Sequence, residues 1–187
     1  MTTVAWNGKK LVTDSQVSLG TTANPGPVKK IFEPEEGEYW ECYGTKVVAF
    51  GISGDGKAIG FMRDRLREGI SHRTRFDDIE EVSFGALVIT EDGNCYRWQT
   101  NKRNGRPQHQ DLLQLMPPCT VGSGHAYALG VMWIGKDIET AVKAAIKLDK
   151  WSGGDLQIWE LPPKPDVKSV RPVAPTAQTQ VAETPAA

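Results

Sequence analysis

The sequence predicts an α+β domain in which two mainly antiparallel sheets pack together with helices outside them. Three observations carry that expectation. Two turn signals, Asn7-Gly8 and Glu91-Asp92-Gly93-Asn94, each sit between apolar runs, as hairpins require. Helical spacing is confined to a few stretches, with hairpins before and after them, unlike the alternating pattern of a parallel sheet. The 187 residues are 39% hydrophobic and include six Trp, enough for one buried core.

Taken in order, Thr2 to Trp6 and Leu11 to Val17 read as strands joined across Asn7-Gly8. Lys46 to Ile52 reads as a buried strand, and Ala58, Phe61, Met62, Arg65 or Leu66, and Gly69 then follow helical spacing. Phe84 to Thr90 and Cys95 to Trp98 make the second hairpin. Pro107 and the Pro117-Pro118 pair bound a loop, after which Thr120-Val121 leads into Gly122-Ser123-Gly124. Ala126, Leu129, Gly130 and Trp133 form one apolar helical stripe; Ile138, Ala141, Val142, Ala145 and Ile146 form another. A strand from Asp155 to Leu161 closes the domain.

Beyond Leu161 no aromatic residue occurs, and six of the twelve prolines fall there. Such a segment buries too little to offset its chain entropy. The expected division is a domain over 1–161 and a flexible Pro/Ala-rich tail over 162–187. The roughly 160 residues of the domain suffice to bury about 70% of their unfolded surface.

Lys and Arg total 22 against 23 Asp and Glu, a net charge of −1 that argues against a nucleic-acid or anionic-membrane partner. No apolar run approaches the roughly 18 residues that span a bilayer, and the opening residues lack a basic and an apolar region in succession. A cytoplasmic protein is expected. Cys42, Cys95 and Cys119 contain no C-x-x-C, so they are expected as small buried hydrophobes. His72, His109 and His125 show no metal-ligand spacing, and neither a metal nor an organic cofactor is expected.

The chemistry begins at the chain's own start. Removal of Met1 before a small residue exposes Thr2 with a free α-amine beside its hydroxyl. An α-amine with a reference pKa of about 7.7 to 8.0 is substantially neutral near pH 7 and can accept the hydroxyl proton. Nucleophile and base then share one residue. The same two residues also open ordinary strands, so the reading rests on their surroundings. With a two-residue Asn7-Gly8 loop Thr2 lies opposite Thr13; an odd loop places it opposite Asp14. Asp14 lies in the apolar run Leu11-Val12-Thr13-Asp14, where an unpaired carboxylate is costly. Lys29 and Lys30 are its candidate partners, and on an extended segment only one of them faces inward. A plain stabilising ion pair would have the same signature.

Asp149 continues the stripe of the last helix, at a C-terminus where the dipole disfavours negative charge, so it too needs a partner. A buried α-amine would serve. Ser152, in Trp151-Ser152-Gly153-Gly154, is placed to add a hydroxyl, or simply to form a turn. Ser123 would serve as an ordinary helix cap.

Taken together these residues resemble the N-terminal-nucleophile hydrolases of the proteasome β-subunit and HslV type. The resemblance is carried by Thr2-Thr3-Val4-Ala5, Thr13-Asp14-Ser15, Val28-Lys29-Lys30-Ile31, Ile52-Ser53-Gly54, the run Val121 to Gly130, and Asp149 to Gly154, in order along Thr2 to Leu161. It implies a four-layer αββα sandwich and the odd-loop register of the first hairpin. It also implies a threonine-type endopeptidase with Thr2 as nucleophile and its α-amine as base. Lys30, paired with Asp14, would lower the proton affinity of the hydroxyl. Gly54 would offer its N–H to the oxyanion. Ser123, Asp149 and Ser152 would orient the amine. The expected substrate is a peptide or unfolded protein, the expected assembly a homo-oligomeric ring, and the partner feeding it an ATP-dependent unfoldase.

Three features depart from the family's pattern. Only Gly69 to Ser83 separate the first helix from the Phe84 strand, short for a second long helix. The loop from Thr100 to Pro118 and the Pro-rich tail have no counterpart. Two other functions compete. A non-catalytic scaffold or shell subunit would keep the fold without needing a Lys, two Asp and two Ser around a Thr terminus. Gly51 to Lys57 fits the G-x-x-x-x-G-K phosphate-binding pattern, but Ala58 replaces the hydroxyl that holds Mg²⁺ and a hairpin follows. The basic stretch Lys102 to Arg106 reads as a solvated loop.

Overall fold

In a computed structural model the described residues are 2–19, 22–24, 27–74, 82–103, 106–108 and 112–163. The chain runs through β1 (Thr3–Trp6), β2 (Lys10–Asp14), β3 (Val17–Leu19), β4 (Thr22–Asn24), β5 (Ile31–Phe32), β6 (Glu41–Cys42), β7 (Thr45–Gly54) and α1 (Ala58–Glu68). It continues through β8 (Phe84–Thr90), β9 (Cys95–Gln99), β10 (Asn101–Arg103), β11 (Arg106–Gln108), β12 (Leu113–Leu115), β13 (Cys119–Gly122), α2 (His125–Trp133), α3 (Ile138–Leu148) and β14 (Leu156–Glu160). One antiparallel sheet has the order β13-β1-β2-β14. A second has the order β12-β9-β8-β7-β5, with β6 also paired to β7, and β3-β4 and β10-β11 form two-stranded sheets of their own.

Alternation along the strands distributes the apolar side chains to three cores. Val4, Trp6 and Leu11 meet Ala49, Leu87 and Ile89 between the two sheets. Ala5 and Val12, on the opposite face of the first sheet, pack under Ala128, Met132, Ala141, Val142 and Ala145 of α2 and α3. On the far face of the second sheet, Phe50, Val88 and Trp98 pack against Ala58, Met62 and Leu66 of α1. The layers therefore run helix pair, sheet, sheet, helix, the αββα order expected. Strands β1 and β8 are buried along their whole length because both of their faces are covered.

Capping accounts for the helix ends. Asp137 accepts a hydrogen bond from the Thr140 amide at 2.9 Å and starts α3. Gly69, with φ of 82°, ends α1. The free thiols of Cys42, Cys95 and Cys119 are all buried, and Cys95 and Cys119 face each other at 3.3 Å across the intersheet core.

Four expectations are corrected. The first hairpin does not have the odd-loop register: Val4 pairs with Thr13 and Trp6 with Leu11, which places Thr3, not Thr2, opposite Asp14. The cause is local. The Asn7 side chain accepts hydrogen bonds from both Lys9 and Lys10 amides, so the tight turn falls on Gly8-Lys9. Second, α2 buries Ala128 and Met132, while Trp133 is 72% exposed. The helix is apolar nearly all round, so spacing alone marks no face. Third, the stretch read as a loop before Pro117 contains strands, and β12 extends the second sheet by pairing with β9. Fourth, Ser123 does not cap α2; the capping position is Gly124 and no side chain caps it.

The tail from residue 164 and His109 lie outside the described residues, as does the middle of the basic stretch at 104–105. Among the described residues no helix is long and apolar enough to cross a membrane. Strand β7, which leads into the candidate phosphate loop, is antiparallel to its neighbours β5 and β8, so the βαβ context of such a loop is missing.

Candidate active site

Thr2 enters the first sheet just before β1, and alternation turns its side chain toward the second sheet while that of Thr3 faces the helices. Thr2 is only 3% exposed. Its hydroxyl accepts a hydrogen bond from the Lys30 ammonium. Lys30 is buried just before β5 and Lys29 is exposed, the division that an extended segment requires. The Lys30 backbone is anchored by the side chain of Gln157 on β14, which accepts from the Lys30 amide at 2.8 Å and donates to the Val28 carbonyl at 2.6 Å.

The Lys30 ammonium also lies 3.3 Å from Asp14 Oδ1 and donates to the Gln16 carbonyl. Asp14 is fully buried and accepts hydrogen bonds from the Thr3 amide at 2.9 Å and the Gly153 amide at 2.9 Å. Burial pulls the Lys30 ammonium below the ordinary lysine range, and the Asp14 charge opposes that shift.

A second polar group converges from the other side. Asp149 ends α3 and is buried, and its Oδ2 accepts from Ser123 at 2.5 Å and Ser152 at 2.7 Å. Ser152 also shares a 2.8 Å hydrogen bond with the Thr3 hydroxyl. The Ser123 amide donates to the Thr2 carbonyl at 2.9 Å, tying β13 to the first residue of the site. Burial raises the proton affinity of Asp149, but the two hydroxyls and the Trp151 amide outweigh it and hold the carboxyl below its ordinary value.

Gly54 ends β7 at φ of +109°, and a Cβ there would lie 2.4 Å from the Ser83 carbonyl oxygen. Gly122 is tighter still: at φ of +100° its Cβ would meet the Thr2 carbonyl oxygen at 1.8 Å. A cleft of about 220 Å³ opens beside the Thr2 hydroxyl, lined by Val17, Val28, Lys30, Ile52, Gly54 and Ile59 among others.

No family model matches the chain, and no curated protein matches it in sequence. Solved structures do match. Thiobacillus denitrificans BPH in complex with epoxomicin superposes with a TM-score of 0.55 at 16% identity, covering 87% of this chain and 99% of that one. HslV from Trypanosoma brucei superposes with a TM-score of 0.56 at 16% identity, covering 85% and 98%. The chain has the HslV fold. A second structure of Thiobacillus denitrificans BPH gives 0.56 at 18% identity, covering 87% and 98%. The HslV-like frame thus accounts for the two sheets and three helices, while the polar side chains described above belong to this chain's own sequence.

All seven positions singled out in the sequence fall in this HslV-like arrangement in two linked groups. Thr2, Asp14 and Lys30 form one, with Gly54 across the cleft. Ser123, Asp149 and Ser152 form the other. Sequence reasoning missed Thr3, Gly153 and Gln157, which hold these groups in place. Thr3 had one usable signal: the residue after a candidate nucleophile on a strand must face the opposite side. Gln157 had none, because its partners are 127 and 129 residues away.

Proposed function

We propose that the protein is a threonine-type endopeptidase whose nucleophile is the Thr2 hydroxyl. The observation that carries the reading is the buried Lys30 ammonium, which donates to Thr2 Oγ1 and lies 3.3 Å from Asp14. A fixed positive charge at the hydroxyl stabilises the developing alkoxide. Removal of Met1 leaves the Thr2 α-amine as general base. The amine takes the hydroxyl proton as Oγ1 attacks the peptide carbonyl, and the oxyanion is met by the Gly54 N–H, a contribution worth about 2.7 to 4 kcal/mol for one such donor. The amine then protonates the departing peptide amine, leaving an ester on Oγ1. Water, deprotonated by the same amine, hydrolyses that ester and restores Thr2. Asp149, with Ser123 and Ser152, supplies the negative and hydrogen-bonding environment that orients the charged amine.

The working form in this reading is a homo-oligomeric ring with the sites inside, taking peptides or unfolded chains, and an ATP-dependent unfoldase is the partner such a ring would use. The test is intact mass and N-terminal sequencing, followed by hydrolysis of fluorogenic peptides by the parent protein and by Thr2→Ala. Loss of Met1 together with activity that Thr2→Ala abolishes is expected. An active preparation that keeps Met1, or a fully active Thr2→Ala, overturns the mechanism. A processed but inactive protein would favour the shell-subunit alternative.

A further inference from the structure

A second cleft, of about 340 Å³, lies across Gly54 from the first, at the open edge where β13 packs on β8. Ser53 and Gly54 line both clefts. The second contains Arg97, and none of its described lining residues is acidic.

The position of Arg97 is unusual for its chemistry. On β9 it stands opposite Leu87 and two residues from Cys95, and both of those side chains belong to the intersheet core. Alternation therefore turns Arg97 inward, to the mouth of the sandwich. It is partly buried there and makes no hydrogen bond, ion pair or ring contact among the described residues. By contrast Arg63, Arg65 and Arg67, on the surface of α1, each pair with a carboxylate. A guanidinium drawn partly out of water with no counter-charge is unfavourable unless something else supplies one. Two hydroxyls in the same cleft are already committed: Thr100 bonds the Phe84 amide and Val82 carbonyl, and Thr120 bonds the His125 carbonyl. Arg97 is thus a cation there with binding capacity to spare, and its planar fork suits a carboxylate.

We propose that a substrate peptide crosses Gly54 with one flank in each cleft, and that Arg97 pairs with a carboxylate on the flank in the second. The inference rests on the hydrolase reading and adds to it a substrate class: peptides carrying a carboxylate on one defined side of the cleaved bond. That carboxylate is either an acidic side chain or the peptide's own C-terminus.

The test uses three N-acetylated peptide series of one parent sequence, with the substituent walked along both flanks. One carries Glu and an amidated C-terminus, one carries Gln and a free C-terminus, and one carries Gln and an amidated C-terminus. For the full-length protein, kcat/KM is expected to favour a carboxylate at one flank by about tenfold to a hundredfold over the neutral series. The favoured series identifies the source of the carboxylate. In Arg97→Gln that ratio should fall to near one, chiefly through KM, and Arg97→Lys should keep part of it. No carboxylate preference in the parent, or an unchanged ratio in Arg97→Gln, overturns the proposal.

A binding arm separates this outcome from failure of the hydrolase reading. Calorimetric titration of Thr2→Ala with the same peptides should show the same preference, lost in Thr2→Ala combined with Arg97→Gln. Selective binding with no hydrolysis by the parent would retain the Arg97 site and discard the peptidase. Hydrolysis without selectivity would do the reverse.

Discussion

Lys30 Nζ lies 3.3 Å from Asp14 Oδ1 with both residues buried, and the same ammonium donates to the Thr2 hydroxyl. One cation therefore balances a core carboxylate and touches the hydroxyl proposed to react. The two partners are not equivalent. Asp14 keeps the Thr3 and Gly153 amides if Lys30 is removed, whereas Lys30 without Asp14 keeps no anionic partner among the described residues.

Lys30→Ala should lower peptide hydrolysis by about a hundredfold or more while leaving a folded protein. Asp14→Ala should cost about 3 to 5 kcal/mol of stability as well, since it strands a buried charge. Denaturant unfolding of both variants beside their kcat/KM values checks the asymmetry. Equal loss of stability in the two would count against it.

The lowered proton affinity of Lys30 has a signed consequence for pH. Between its folded value and the ordinary lysine value of about 10.4, the unfolded chain binds more protons than the folded one, so this residue makes stability rise with pH across that window. Catalysis moves the other way, because turnover needs the ammonium. The alkaline limb of kcat should therefore fall at a lower pH than an ordinary lysine would give, and that limb should be absent from the residual activity of Lys30→Ala.

Asp149 acts at the acid end. Its folded value is depressed, so its contribution to stability is present above the ordinary carboxylate range and is lost as pH falls through the folded value. Asp149→Asn should flatten part of the acid slope of unfolding free energy below about pH 4. Parallel urea titrations at several pH values test this, and identical slopes in parent and variant would remove Asp149 as the cause.

Two glycines should respond in opposite directions to alanine. At Gly122 a Cβ would enter the Thr2 carbonyl oxygen at a backbone angle that alanine avoids, so Gly122→Ala should destabilise by more than about 1 to 3 kcal/mol and displace Thr2. Gly130, in the middle of α2, has nothing within 4 Å of a Cβ. Gly130→Ala should stabilise by about 0.5 to 1 kcal/mol, read as a raised midpoint of thermal unfolding.

The Cys42 thiol, pushed up to about 12 mainly by burial and further by the Glu41 charge, should resist alkylation in the native protein and react only on unfolding. Mass-resolved labelling with and without denaturant measures the difference. Rapid native labelling of Cys42 would contradict the burial.

The residues most legible in the sequence were those that violate its local pattern. Asp14 in an apolar strand and Asp149 on the buried stripe of α3 each required partners, and the paired lysines narrowed the choice to one side of an extended segment. Where no such conflict exists the sequence is silent. Helix α2 is apolar on nearly every side, so nothing in it distinguishes Ala128 and Met132 from Trp133. Leu113 to Leu115 looked like loop because a three-residue edge strand is defined by its neighbour β9, not by its own composition.

By itself the sequence showed two packed antiparallel sheets with helices outside them and marked Asp14 and Asp149 as carboxylates in need of partners, because hydrophobic periodicity and the cost of a misplaced charge act locally along the chain; the other candidate site positions came from the family resemblance. Only the tertiary structure decided the register that puts Thr3 opposite Asp14, and the Gln157 clamp on Lys30. It alone also decided the inward turn of Arg97 beside the site. The register turns on hydrogen bonds to the Asn7 side chain within one tight turn, while the Gln157 clamp and the cleft around Arg97 depend on strands from distant parts of the chain, and neither kind of contact leaves a periodic trace in the sequence.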